Sequence, residues 1–388
     1  MSEQTGQKKK SSAGVFFFNV IQIGGFAAAG ICVIEQLLSY FEGNKGIWIA
    51  GAACFLLFFL LLYAALISHE AGHMIFGLLS GYEFVSFRIG SIIFVRQDGK
   101  LRVKRFHIPG TGGQCLMKPP ADKTNFSFRL YNLGGCIVNF VFGALSLLLC
   151  GLFYELFALR IVLLLFGILN ATLFLSNILP FSPRIATDGM NLRMLRDPAE
   201  RQAFWMSLYA NAYLTTGGDM AEFPEELLVI PENLDYSSYM QAAAVPILRL
   251  TWLEVNGRYE EALALTDFLL ENAELLDLHK FELRTERLLF WILLGHEDGE
   301  ILKEYNGTKT YIRSVQNFFV SKQAILCALS FHFAGNEPDG VLPLAKQEAE
   351  FERVAKRFPY ESETENYRKI LADIKAGVKK ESGFQQES

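Results

Sequence analysis

Tyr63-Ala-Ala-Leu-Ile-Ser-His69-Glu70-Ala-Gly-His73-Met-Ile-Phe-Gly-Leu-Leu79 decides how this chain is organised. It places two imidazoles and a carboxylate at the end of a long apolar run, since Ile47 to Ile67 contains no charged residue. On a helix, positions four apart share a face, so the rings of His69 and His73 can reach one ion. Ionisable groups inside lipid are costly and persist where they have a partner or a task. A solvated helix face is therefore a poor account of this stretch, and a metal site is a good one.

Working outward, the 388 residues have a mean hydropathy of +0.23, too apolar for one ordinary water-soluble domain. The apolar residues concentrate in 14–181, whereas 190–388 reads as a soluble helical protein. Four membrane helices are expected, at about 15–40, 47–79, 130–154 and 161–180. With about 1.5 Å of rise per residue, His69 lies roughly 15 Å before the second helix ends, inside the bilayer but nearer one face. Residues 1–13, with Lys8, Lys9 and Lys10, read as a disordered tail. The apolar run after them reads as a retained anchor; it is long for a signal peptide, contains Glu35 and lacks a clear small-residue cleavage site.

Between the second and third helices, residues 84–118 change character. Phe84 to Ile89 and Ser91 to Val95 alternate like strands, and Asp98-Gly99 separates them from Leu101 to Phe106, a hairpin signal. Gly110-Thr-Gly112-Gly113-Gln-Cys-Leu-Met117 is extended and pliable. This segment is either a solvated hairpin or an edge beside the metal that pairs with a substrate backbone through Gly112 and Gly113. In the third helix, Gly134 and Gly135 allow close helix approach. Asn139 reads either as a helix–helix hydrogen bond or as a group facing the site.

Basic residues cluster at Lys8–Lys10, between Arg88 and Arg129, and at Arg184, Arg193 and Arg196. The positive-inside rule then puts both termini in the cytoplasm and brings His73 and Asp188 to one membrane face. A net charge of −5 without a lysine-rich tract gives no sign of nucleic acid. Six cysteines without paired spacing read as small apolar residues. Residues 193–235 read as a membrane-proximal helical linker, 236–375 as an irregular tetratricopeptide-like (TPR-like) solenoid, and 376–388 as a disordered tail. Leu253 to Leu263 is the best repeat match, with helix–Gly–helix breaks at Gly257, Gly295 and Gly335.

His69-Glu70-Ala71-Gly72-His73 is an H-E-x-x-H motif, which holds zinc through the two imidazoles and uses the glutamate as general base toward a metal-activated water. Together with Gly134-Gly135-Cys136-Ile137-Val138-Asn139, Asn177-Ile178-Leu179-Pro180 and Asp188-Gly189, it resembles the site-2 protease family (peptidase family M50), over roughly residues 47–192. The resemblance implies that His69, His73 and Asp188 bind Zn2+, that Glu70 is the base, and that Asn139 contacts the substrate or the developing oxyanion. It also implies a re-entrant β segment at 110–117. Cys136 stands at the family's proline, Met190 stands where a second glycine is common, and the gap from Pro180 to Asp188 is longer than usual. His107 is the alternative third ligand.

The fold expected is a mainly α membrane protein with about four transmembrane helices, an inserted β-hairpin or re-entrant segment, and a soluble helical domain. In order, the chain is expected to contain the 1–13 tail, a 14–192 metalloprotease domain, the linker, the solenoid and the second tail. The function expected is zinc endoproteolysis of membrane-spanning or signal and leader peptides, in a bacterial cell membrane. The alternative is an inactive membrane scaffold that recruits a protein partner through its helical domain. A metal sensor or transporter ranks last, because no line of intramembrane acidic or histidine residues marks a path.

Overall fold

The computed structural model describes residues 2–42, 45–97, 99–105, 112–123, 126–181, 187–236, 244–273, 275, 277–358 and 360–384. In chain order the elements are α1 (Ser2–Phe41), α2 (Gly46–Leu79), β1 (Glu83–Ile89), β2 (Ile92–Gln97), β3 (Lys100–Arg105), β4 (Gly113–Lys118), α3 (Phe128–Leu152), α4 (Phe157–Ile178), α5 (Asp188–Met194) and α6 (Pro198–Thr215). They continue as α7 (Ala244–Val255), α8 (Tyr259–Asn272), α9 (Asp277–Leu293), α10 (Asp298–Val315), α11 (Val320–His332), α12 (Leu344–Ala355) and α13 (Glu361–Phe384). Two compact units result. One comprises Met1–Gly90 with Ile108–Arg201, the other Ser91–His107 with Gln202–Ser388.

In the first unit, Ala13–Phe41, α2, α3 and α4 are each long and apolar enough to cross a membrane. Helix α4 packs on α1, α2 and α3, and α2 also packs along α3. Large apolar side chains such as Trp48 and Leu56 are 82% and 71% exposed, surface that lipid can cover. Polar side chains point inward instead: Asn139, Asn170 and Ser176 are fully buried. This is the inside-out arrangement that a hydrocarbon solvent imposes.

Close approach between α2 and α3 sets the geometry of the bundle. A Cβ placed on Gly72 would lie 2.3 Å from the Gly134 carbonyl oxygen, and one on Gly134 would lie 2.4 Å from that of Gly72. The two backbones touch where neither helix has a side chain, the packing that small residues permit in membranes. Strand β4 pairs antiparallel with β1, with Phe87 opposite Cys115 and a register shift between Phe84 and Ser86.

The second unit contains the β2–β3 hairpin, paired antiparallel from Ile92↔Arg105 to Gln97↔Lys100, and Gly99 takes a left-handed φ of +72° at its turn. This moves the hairpin out of the expected 14–192 domain. Its edge is tied to the second unit, where the Gln97 side-chain amide donates to the Thr215 carbonyl at 3.4 Å. Within the 193–235 stretch, the part from Gln202 on likewise joins a core: Met220, Phe223 and Leu228 are buried with Leu250 and Leu253, and Trp252 Nε1 donates to the Phe223 carbonyl at 2.9 Å. It is part of a packed unit and not a separate linker, because its apolar side chains find partners on α7.

Helices α7 and α8, α9 and α10, and α11 and α12 follow one another in pairs broken at Gly257, Gly295 and Gly335, each with a left-handed φ. Helix α11 is buried from Val320 through Ser330, against α9, α12 and α13. The two expected disordered tails differ from the structure: α1 is helical from Ser2 and α13 runs to Phe384. Lys, Glu and Gln are good helix formers, and extending an existing helix avoids the cost of nucleation.

Gly134→Leu should force α2 and α3 apart, at a cost of ~1–3 kcal/mol or more from overpacking. The expected readout is a lower melting temperature in detergent, with Gly151→Leu as control because that position on α3 meets no other atom within 4 Å. Equal melting of both variants would show that the contact is not a constraint.

Candidate metal centre

Helix α2 presents His69 and His73 one turn apart, and each ring is held from behind. His69 Nδ1–H donates to Asn139 Oδ1 at 2.6 Å, and His73 Nδ1–H donates to the Tyr131 carbonyl at 2.8 Å. The tautomer follows from these partners. Asn139 has no amide proton to spare for another task, since its Nδ2 donates to the Ala65 carbonyl at 3.2 Å and to Asn170 Oδ1 at 2.7 Å. Its Oδ1 must therefore accept, so Nδ1 of His69 carries a hydrogen, and in the neutral ring Nε2 keeps a lone pair. The carbonyl of Tyr131 imposes the same state on His73.

The two free nitrogens face each other at 3.2 Å. Asp188 closes the group: Oδ2 lies 3.4 Å from His69 Nε2, and Oδ1 lies 3.4 Å from His73 Nε2. Three electron-rich atoms thus converge, with both ring hydrogens committed elsewhere, and a cation resolves that arrangement. A tetrahedral ion with bonds of about 2.1 Å spaces its donors about 3.4 Å apart, and each ring nitrogen has a carboxylate oxygen at that distance, so the three residues could hold zinc. Among the described residues, these three alone offer metal-ligand atoms within 4.8 Å of one another.

Local structure places each group. Asp188 opens α5, and Thr187 caps that helix by accepting from the Met190 N–H at 3.2 Å while donating to the Leu179 carbonyl at 3.1 Å. The longer stretch after Pro180 therefore still returns Asp188 to the histidines. A Cβ at Gly189 would lie 1.9 Å from the Ile178 carbonyl oxygen, so the residue after Asp188 is small because α5 turns back against the end of α4. Gly135 does the same for His69, whose ring would meet a Cβ there at 2.5 Å.

Glu70 faces β4. A Cβ on Gly113 would sit 2.9 Å from its Cγ and 3.0 Å from Oε1. The Cys115 carbonyl takes the Tyr131 hydroxyl at 3.1 Å. Gly112 packs more loosely, near Leu66. The structure thus brings His69, Glu70, His73, Asp188, Asn139, Gly112 and Gly113 to one region. It changes the part expected of Asn139, which stands behind His69 with both amide protons committed and orients that ring instead of facing an oxyanion. His107, Gly110 and Thr111 lie outside the described residues.

Three contributors were not singled out from the sequence. Asn170 carries the signal that marked Asn139, an amide within an apolar run. Cys136 read as a small apolar residue, yet its thiol donates to Asp188 Oδ2 at 3.3 Å. Tyr131 acts through its backbone carbonyl, which no side-chain pattern reveals. No protein-family model, curated protein or solved structure matches this chain.

Purified protein should carry about one zinc per chain, lost in His73→Ala and in Asp188→Ala. Asn139→Ala should retain the site with metal affinity reduced ~10–100-fold, the usual effect of removing a group that orients a ligand. Metal analysis by mass spectrometry after dialysis against graded chelator separates these outcomes. Zinc retained in Asp188→Ala would assign the third position to another group.

Proposed function

We propose that this chain is an intramembrane zinc endopeptidase of the site-2 protease type, acting on membrane-spanning segments or hydrophobic signal and leader peptides. The convergence of His69 Nε2, His73 Nε2 and the Asp188 carboxylate, with Glu70 one residue along the same helix, carries this reading. When bound, zinc would lower the pKa of a coordinated water and polarise a substrate carbonyl.

The chain's own residues account for positioning and proton movement. Asn139 and Tyr131 hold the two imidazoles in the tautomer that leaves Nε2 available. Glu70 serves as general base and then acid: its carboxylate takes a proton from the attacking water and delivers it to the departing amine nitrogen as the C–N bond breaks. Gly113 leaves room beside that carboxylate. An extended substrate would lie along β4, whose pairing among the described residues is with β1 alone. That edge answers a chemical need, because a helical substrate hides its peptide bonds until it unwinds.

In this reading the basic loops put both termini on the cytoplasmic side of a bacterial membrane. The helix pairs separated by left-handed glycines form an irregular TPR-like solenoid that engages a protein partner.

Glu70→Gln should keep its zinc and lose cleavage of a single-span membrane reporter by ~10²–10⁴-fold, the range of general acid–base catalysis. The product termini, read by mass spectrometry, should fall within or beside the spanning segment. Wild-type protein that holds zinc but cleaves no member of a panel of such reporters would favour the membrane scaffold.

A further inference from the structure

The C-terminal unit buries charge that the membrane site does not use. Lys322, on α11, has a side chain only 1% exposed and lies 2.6 Å from Glu282 Oε2 and 3.1 Å from Glu286 Oε1. Burial disfavours its charge, but those two carboxylates outweigh that and hold the ammonium charged well above the usual lysine range. Two further acids, Glu254 on α7 and Glu363 on α13, stand by the same group with no cation within ion-pair distance among the described residues. Four carboxylates thus surround one ammonium.

Glu254, Glu282, Glu286 and Glu363 line a cavity of about 500 Å³ between α6, α7, α9 and α13. Its polar surface is unbalanced in kind as well as charge. Glu254 is 4% exposed, and neither its Oε1 nor Glu286 Oε2 meets a hydrogen-bond donor. Asn366, 5% exposed, lines the same cavity and supplies an independent sign. Its Nδ2 donates to Asp219 Oδ1 at 3.1 Å, which fixes the amide orientation and leaves a buried Oδ1 that accepts from nothing. Buried acceptors without donors are rare and costly. Burial pushes the Glu254 and Glu286 carboxyls above the usual carboxylate range, Glu254 also because Glu286 stands beside it. Burial, with Glu286 nearby, pushes the Glu363 carboxyl up to about 7.

The missing partner is therefore rich in donors, positively charged and devoid of acceptors. A small divalent ion fits poorly: among the described residues, these carboxylates do not bring three ligand atoms within 4.8 Å of one another, and Lys322 repels it. A primary ammonium fits, with three N–H donors and no acceptor. The rest of the wall includes Leu250, Leu283 and Ile370, apolar surface suited to a methylene chain.

We infer that the cavity between α7, α9 and α13 binds a primary ammonium on an aliphatic stem, seated against Glu254, Glu286, Glu363 and Asn366. The ligand is either a lysine side chain of a peptide or a small aliphatic amine. A proton held by one of these carboxyls in the empty cavity passes to solvent as the ammonium takes its place. This site is independent of the metal centre and stands whether or not the chain cleaves peptides.

The test uses full-length protein in detergent and isothermal titration with three probes: acetyl-Ala-Leu-Lys-Leu-Ala-amide, the same peptide with its lysine Nε-acetylated, and 1,5-diaminopentane. Saturable binding of the lysine peptide, reduced at least tenfold by acetylation, is expected. Diaminopentane that binds as well identifies a small amine as sufficient; binding of the peptide alone identifies a peptide ligand. Glu254→Gln and Asn366→Leu, each checked for an unchanged melting transition, should weaken binding at least tenfold. Either variant that melts early leaves the acetylation comparison on wild-type protein to decide. No saturable binding of either amine, equal binding of the acetylated peptide, or full binding by folded Glu254→Gln would overturn the assignment.

Discussion

The contact on which the membrane unit depends is the meeting of two bare backbones at Gly72 and Gly134. Lipid supplies no hydrophobic force between helices, so α2 and α3 associate by fit and by polar contacts. Because neither glycine has a side chain, the helices come close enough for the His69 ring to lie over Gly135 and to reach Asn139. One residue later the same closeness lets Cys136 reach Asp188. Loss of that approach would move the histidines away from the groups that set their tautomers.

From this contact a polar chain runs through the bundle. Asn170 on α4 accepts from Asn139 on α3, which also donates to the Ala65 carbonyl of α2 and accepts from His69. Three helices are tied together by groups that hydrocarbon would otherwise penalise, and the same bonds orient the His69 ring toward Asp188. Structural and chemical roles coincide here because in lipid every buried polar group must be satisfied by another. Asn139 bridges helices, one of the two readings that its position suggested, and it also orients the His69 ring, a part that its position did not suggest.

The second unit solves a different problem. Its burial comes in part from water-driven packing around α11, a helix buried from Val320 through Ser330. Lys322 is the one lysine in that helix. Its two ion pairs satisfy its ammonium, whereas the surrounding acids outnumber it, and the imbalance faces a cavity and not the packed core. Buried ion pairs are weak contributors to stability, so a surplus of buried carboxylates reads more naturally as a binding device than as a fold-stabilising one.

Much of this was legible in the residues themselves. Apolar runs longer than a bilayer needs marked all four spanning helices to within a few positions, because hydrocarbon thickness and helical rise leave little freedom. The four-residue spacing of His69 and His73 put both rings on one face for the same geometric reason. The hairpin at Asp98-Gly99 followed from turn chemistry, and the breaks at Gly257, Gly295 and Gly335 from the need for a left-handed residue at a helix end. Tertiary structure alone decided the rest. Assignment of the β2–β3 hairpin and of 202–235 to the second unit rests on contacts with residues far along the chain, such as Gln97 with Thr215 and Trp252 with Phe223. The tautomer-setting role of Asn139 depends on three partners from two other helices, and the carbonyl of Tyr131 has no signature in sequence. Spacing along one helix is local and can be read from the chain; the convergence of side chains from α2, α3 and α5 on one point depends on how closely the helices pack.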